Sequence, residues 1–174
     1  MHDRRWSTLI KPDTLVSTLP VRGGDRPRTS GPMPHIQLDN LGAPELQTAL
    51  MARFYALPDV EERRTLVSDP RARAMWLREG VPIGTPDAFL AGREFGHFHP
   101  WDRSMHVVLP PDDALAAVKA GWAEVHPAAR IVGIPENRVM IYGPRDEDEL
   151  EVVFRLLVAS YRYAGGRLEI TPER

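Results

Sequence analysis

The sequence has no cysteine. Disulfides, thiolate nucleophiles, CxxC redox pairs and cysteine-based zinc sites are therefore excluded. No apolar run approaches the roughly 18 residues of a membrane-spanning helix. No charge sign dominates: 22 Lys and Arg against 24 Asp and Glu leave a net charge of −2. A nucleic-acid binder needs a basic surface to replace counterions, so that class is disfavoured. GxGxxG, GxxxxGK[ST] and GxSxG are all missing, which removes the common nucleotide folds and the hydrolase nucleophile elbow. The aromatic-plus-basic pattern of an RNA-binding sheet is missing too. The opening Met1-His2-Asp3-Arg4-Arg5-Trp6 has no secretory character. The expectation is a cytoplasmic protein with neither nucleic-acid nor membrane partners.

What is present is an ordinary globular mix. Of 174 residues, 43% are hydrophobic and 26% charged, enough for one domain with a real core. Proline, at 17 residues, is about twice as frequent as usual. Prolines and glycines crowd the first quarter, so residues 1–33 read as an N-terminal arm, with a short strand at 14–19, and 34–174 as a single domain. From residue 43 the chain becomes periodic. Leu46, Ala49, Leu50, Phe54 and Leu57 recur at helical spacing behind Ala43-Pro44-Glu45. Residues 62–68 read as a strand. Pro70 precedes an expected helix through Ala74, Met75, Trp76 and Leu77, closed by Gly80, and Thr85-Pro86-Asp87 starts a short one.

Strands are expected at 93–99, 104–109 and 138–142, and a short one at 167–170. Pro110-Pro111-Asp112-Asp113 opens a helix with Leu115, Val118 and Trp122 on one face. Asp146, Glu147, Asp148 and Glu149 open another, whose stripe is Leu150, Val153, Phe154, Leu157 and Tyr161. The fold class is α+β: a small antiparallel sheet with packed helices, β-β-α-β-α after a helical lead-in.

Four of the six histidines fall between residues 97 and 126. With residues 100–103 as the loop, His97 faces His106 and His99 faces Ser104, all on one side. Phe98, Met105, Val107 and Leu109 take the other, and this register segregates polar from apolar best. Three imidazoles on one face, His97, His99 and His106, suit a transition metal such as zinc, iron, nickel or copper. They equally suit a base and anion-holding donors, in which case the rate rises with pH through about 6 to 7. Glu94 would complement them, but ideal alternation puts it on the other face. His126 reads as a helix-end residue capping carbonyls, Trp122 as core, and His35 as a surface residue. Tyr142 and Arg145 flank the end of the third strand, where Arg145 either grips an anionic substrate or pairs with Asp146 or Glu149.

Four blocks together carry a resemblance: Glu94-Phe95-Gly96-His97-Phe98-His99-Pro100; Ser104-Met105-His106-Val107-Val108-Leu109-Pro110; Gly121-Trp122-Ala123-Glu124-Val125-His126-Pro127; and Met140-Ile141-Tyr142-Gly143-Pro144-Arg145-Asp146. With Pro34-His35-Ile36-Gln37-Leu38, they resemble the fungal luciferase-like domain family over about residues 22–165. The Arg- and Pro-rich composition suggests a small bacterial member. The resemblance implies a flavin-independent oxygenase with no organic cofactor. It would add O2 to an enolic pyrone of the 3-hydroxyhispidin type, with loss of CO2. It implies roles for His97, His99, His106, His126, Tyr142 and Arg145 in catalysis, and for His35, Glu94 and Trp122 in substrate binding. Two other readings stay open: a metal- or ligand-binding domain without turnover, and a three-histidine metal-dependent hydrolase or decarboxylase.

Overall fold

The central hairpin forms in the expected register: His97 pairs with His106 and Phe98 with Met105, and the His99 amide donates to the Ser104 carbonyl at 2.9 Å. In the computed structural model, residues 19–129 and 134–168 are described. They form a six-stranded antiparallel sheet in the order β1-β2-β3-β4-β6-β5. The strands are β1 Val60–Arg64, β2 Arg73–Leu77, β3 Glu94–Phe98, β4 Met105–Val108, β5 Ala123–Val125 and β6 Arg138–Ile141. Three α-helices accompany them, α1 Pro44–Tyr55, α2 Pro111–Lys119 and α3 Glu147–Ala164, with a 3-10 turn at Pro86–Ala88. The class is α+β, as the sequence implies.

Helix α3 organises the core. Asp146 caps it by accepting the Glu149 amide at 2.8 Å, acidic residues fill the first turn, and Gly165 ends it with φ 116°. That left-handed φ suits glycine. All five residues of the expected stripe are buried. They meet one sheet face through Phe95, Phe98, Met105, Val107, Val139 and Ile141. The opposite face carries Ala74, His97, His106, Met140 and Glu124, which share rows across the ladder. One face thus supplies stability and the other is free to carry chemistry.

Three expectations fail, each for a physical reason. Residues 73–77 form β2, not a helix. Ala74-Met75-Trp76-Leu77 is an apolar run too short to show a period, and it lies between two strands with both faces partly covered. Helix α2 buries Ala114 and Ala117, while Leu115 is 54% exposed. Its small residues let it approach the core closely. It ends at Lys119, and Gly121 (φ 84°) turns the chain so that Trp122 leads into β5. His126 therefore follows a strand rather than a helix. The strands expected at 14–19 and 167–170 fall largely outside the described residues.

Residues 20–22 are bonded to the segment between α2 and β5. The Arg22 amide donates to the Ala120 carbonyl at 2.8 Å and Trp122 Nε1 to the Pro20 carbonyl at 2.6 Å. A bridge between Thr29 and Gln37 folds the next stretch back on itself and delivers His35 to the polar face of the sheet.

Gly96 sits where that hairpin is tightest. A Cβ there would lie 2.8 Å from both the His106 carbonyl oxygen and Val107 Cγ1. Gly96→Ala is expected to cost about 1–3 kcal/mol by overpacking, read as a lower urea midpoint at unchanged m-value.

Candidate active site

A bulge in β3 builds one end of the site. Met75 pairs with Gly96 and Trp76 with Glu94, so Phe95 is the extra residue. The bulge reverses the alternation. Phe95 joins Phe98 in the core, and Glu94 moves to the histidine face, contrary to the ideal-strand reading. Glu94 is fully buried and satisfied. Its Oε1 accepts from Thr65 Oγ1 at 2.9 Å and its Oε2 from the Leu66 amide at 2.7 Å, both from the loop after β1. Oε1 also lies 2.8 Å from His97 Nδ1.

Three carboxyl side chains orient three imidazoles in the same manner. Glu94 takes the Nδ1–H of His97, leaving Nε2 as the free nitrogen. Asp102 accepts the Ser104 hydroxyl at 2.7 Å, Ser104 Oγ then accepts from His99 Nδ1 at 3.2 Å, and His99 Nε2 meets Ser68 Oγ at 3.3 Å. Glu124 accepts from Tyr142 OH at 2.8 Å and from His35 Nε2 at 2.5 Å. The His35–Glu124 pair spans the segment 28–38 and β5. Second-sphere carboxylates of this kind fix the tautomer of a functional imidazole.

His106 lies at the centre. Its ring centroid is 4.7 Å from that of His99, 4.9 Å from His126, 5.2 Å from His35 and 5.3 Å from His97. His106 Nδ1 is 3.3 Å from His97 Nε2. Because Glu94 leaves His97 Nε2 as a lone pair, His106 Nδ1 is the donor and its Nε2 carries the lone pair. That Nε2 is buried with no protein partner, as is His35 Nδ1. Buried polar atoms are nearly always paired, so two orphans in one cluster mark a place for a ligand.

The imidazoles line a cavity of about 540 Å³, within the range of small-molecule sites. Its apolar walls include Ile36, Val67, Leu90 and Ile134, and Trp101 stacks on His99 at 4.7 Å. Burial, reinforced by the neighbouring imidazoles, holds the His106 pKa well below its ordinary value. Burial also lowers His97, against the opposing pull of Glu94. Burial and nearby charges bring His126 to about 4. At neutral pH these three rings are uncharged.

Five of the expected residues thus converge: His35, His97, His99, His106 and His126 all line the cavity. His35 is 3% exposed, not a surface residue. Among the described residues His126 donates to no helix carbonyl; its Nδ1 accepts the Ala128 amide at 3.1 Å. Glu94 and Tyr142 stand behind the imidazoles. Trp122 lies in the core, and the guanidinium of Arg22 lies 5.7 Å from its ring centroid. Arg145 is not a cavity residue. It pairs with Glu149 and donates to the Gly23 carbonyl at 2.7 Å, the ion-pair alternative open from the sequence. Asp102, Glu124 and Arg138 were missed. Only Asp102 left a local signal, a short acceptor beside His99 in a tight loop.

Comparison with known proteins gives a domain match. Residues 92–160 match the Luciferase domain, the stretch that contains His97, His99, His106 and His126. Over these residues the chain is similar to the luciferase family. It is 33% identical over 178 residues to a luciferase of Armillaria mellea, covering 92% of this chain and 63% of that protein. A luciferase of Neonothopanus nambi is 28% identical over 177 residues, covering 92% of this chain and 62% of the other. The chain thus spans about 63% of the length of the Armillaria relative. No solved structure matches it. Among the described residues, no helix is long and apolar enough to cross a membrane.

Proposed function

We propose that the chain is a flavin-independent, luciferase-like oxygenase that reacts O2 with an enolic, pyrone-like or aromatic small molecule held in the histidine cavity. One observation carries this reading: a cavity of about 540 Å³ walled by five imidazoles, two of them with buried, unpartnered nitrogens, in a chain similar to the luciferase family over residues 92–160. His106 Nε2 serves as the base. The enol proton passes to it, and the enolate carbon supplies an electron pair to O2. A C–O bond forms, the carbon is oxidised, and O2 is reduced to the peroxide level with no outside reductant. Glu94 acts through His97 as a positioning residue, holding His106 in the tautomer that accepts. The low pKa of His106 suits an acidic proton, as on an enol conjugated to a carbonyl. The apolar walls limit water around the anion.

A second reading has its own support. His97, His99 and His106 each offer a nitrogen within 4.8 Å of the others, as do His35, His106 and His126. The 3.3 Å between His97 Nε2 and His106 Nδ1 is also about the edge of a tetrahedral site with metal–nitrogen bonds of ~2.0–2.1 Å. The first trio, with Glu94 and Asp102 behind it, fits zinc, iron, nickel or copper. Such an ion, when bound, would supply Lewis acidity or redox chemistry at this site.

One preparation tests both readings. Untagged protein, purified without chelators, is analysed for metals and offered hydroxypyrones and other enolic compounds in an oxygen electrode. O2 uptake with CO2 release, with or without light, is the expected result. About one equivalent of a transition metal would select the second reading. No O2 uptake with any enolic compound, from protein that is folded and carries any metal found, would overturn the oxygenase reading.

A further inference from the structure

Two guanidinium groups reach the cavity, and they differ in one respect. Arg71 is already neutralised: it donates to both oxygens of Asp69, at 2.9 and 2.8 Å, and lies over Trp101 with 4.7 Å to the ring centroid. Arg138, the first residue of β6, has no carboxylate partner among the described residues. Its Nη2 donates to the Phe89 carbonyl at 3.2 Å, and its Nε is buried with no acceptor. Arg138 is half-buried, and its unpaired Nε–H is a donor that an incoming anion can satisfy.

His126 stands beside it. Its backbone amide donates to the Arg138 carbonyl at 3.0 Å. Its Nδ1 accepts the Ala128 amide, so the proton of the uncharged ring is on Nε2. This tautomer is opposite in sense to those of His97 and His106. Where His106 presents a free lone pair, His126 presents an N–H, and that N–H has no acceptor among the described residues. Next to Arg138 the wall is apolar, with Leu90 and Ile134.

We propose that Arg138 and His126 form an anion subsite of this cavity, so that its ligand is a planar apolar body bearing one anionic oxygen, a carboxylate or an ionised enol. The inference rests on the oxygenase reading only in taking the cavity as the substrate site. It assigns polarity within that site: a proton acceptor at His106, and proton donors beside it at His126 and Arg138. An enol entering with its hydroxyl toward His106 would keep a second oxygen, bearing the displaced charge, against Arg138. The same pair would hold the carboxylate of a ring-opened acid.

The test is binding, which needs no turnover. Cinnamate and cinnamamide have the same planar body and differ in charge. 4-Hydroxy-6-methyl-2-pyrone and its O-methyl ether make the same comparison for an enol. Each is titrated into the full chain by calorimetry at pH 7.5. Cinnamate or the free enol should bind at least tenfold more tightly than its neutral partner. Preference in the cinnamate pair alone identifies a carboxylate subsite, and in the pyrone pair alone an enolate subsite. Arg138→Gln should abolish the preference, Arg138→Lys should retain part of it, and Arg71→Gln should leave it within about twofold. The lysine variant keeps the charge, so the test survives if the glutamine variant fails to fold. Equal binding of charged and neutral partners, or no binding of any probe, would overturn the subsite. So would a preference that persists in Arg138→Gln, or one that Arg71→Gln removes. A preference for the anion with no O2 uptake from any enol would leave the subsite standing and remove the oxygenase reading alone.

Discussion

His106→Ala is expected to lower the rate of O2 consumption by about 10²–10⁴-fold, the usual contribution of a positioned base, while the melting temperature moves by only a few degrees. The two effects separate because of how His106 is held. It makes one hydrogen bond, to His97 at 3.3 Å, and its other nitrogen has no protein partner. Removing the ring enlarges an existing cavity and orphans only His97 Nε2. Glu94→Gln makes the contrast. Glu94 is fully buried and accepts from Thr65, Leu66 and His97. A glutamine amide must turn an NH2 toward one of those donors. It should cost about 1–3 kcal/mol and lower the rate as well, because His97 and His106 lose their tautomers. Melts beside oxygen-electrode assays of both variants check this. A His106→Ala protein that keeps full activity would remove the base assignment. The direction of the His106 shift also fixes the pH profile. The base form is the neutral ring, so activity falls only when pH drops through a pKa well below 6.5. A rise between pH 6 and 7, the expectation for an unperturbed histidine, is therefore replaced by a flat profile from 6 upward.

The hairpin was legible because period-two alternation and a four-residue loop leave one register that keeps Phe98, Met105 and Val107 together. Helix α3 was legible because 18 residues give the apolar stripe several turns in which to repeat. The convergence of His35 was visible only by resemblance, since its partner Glu124 is 89 positions away. Strand β2 failed because Ala74-Met75-Trp76-Leu77 is apolar throughout and shows no alternation, and β5 because three residues cannot show a period. Glu94 failed through a bulge, which breaks the rule that alternation rests on. A trace of it was present. Phe95 and Phe98 are three apart on one short strand, and both reach the core only if one residue is extra.

The two arginines show the same limit in electrostatic form. Arg145 was the natural anion-holder by position, after a strand and before a helix. Yet Glu149, four residues on, already takes its charge. Whether an arginine is available depends on whether a carboxylate has reached it first. Arg138 shows no local mark in sequence because what distinguishes it is a missing partner.

The arginine that Arg145 resembles most is Arg22, and their shared acceptor gives the second large effect. Glu149 is buried. Arg22 donates to it at 3.3 and 3.1 Å, and the Arg145 amide donates at 2.9 Å. Burial alone would raise the Glu149 pKa. The hydrogen bonds from Arg145 and Arg22 outweigh it and bring the value from 4.5 down to about 2. A pKa depressed in the folded state means that the unfolded chain binds the proton first as pH falls. The stabilisation is complete above 4.5 and is lost between there and about 2. At ~1.36 kcal/mol per unit it amounts to about 3 kcal/mol. Glu149→Gln should therefore lower the melting temperature at pH 7 by about 6–12 °C, and the gap to wild type should close as the pH is taken down to about 2.5. An offset that stays constant across that range would show that the loss is packing and not charge. The same variant bears on the site. Arg22 begins the segment that carries His35 back to Glu124, so releasing it loosens one wall of the cavity. Faster proteolytic cleavage between residues 20 and 38 in Glu149→Gln, at a temperature where the sheet remains folded, is the accompanying signature.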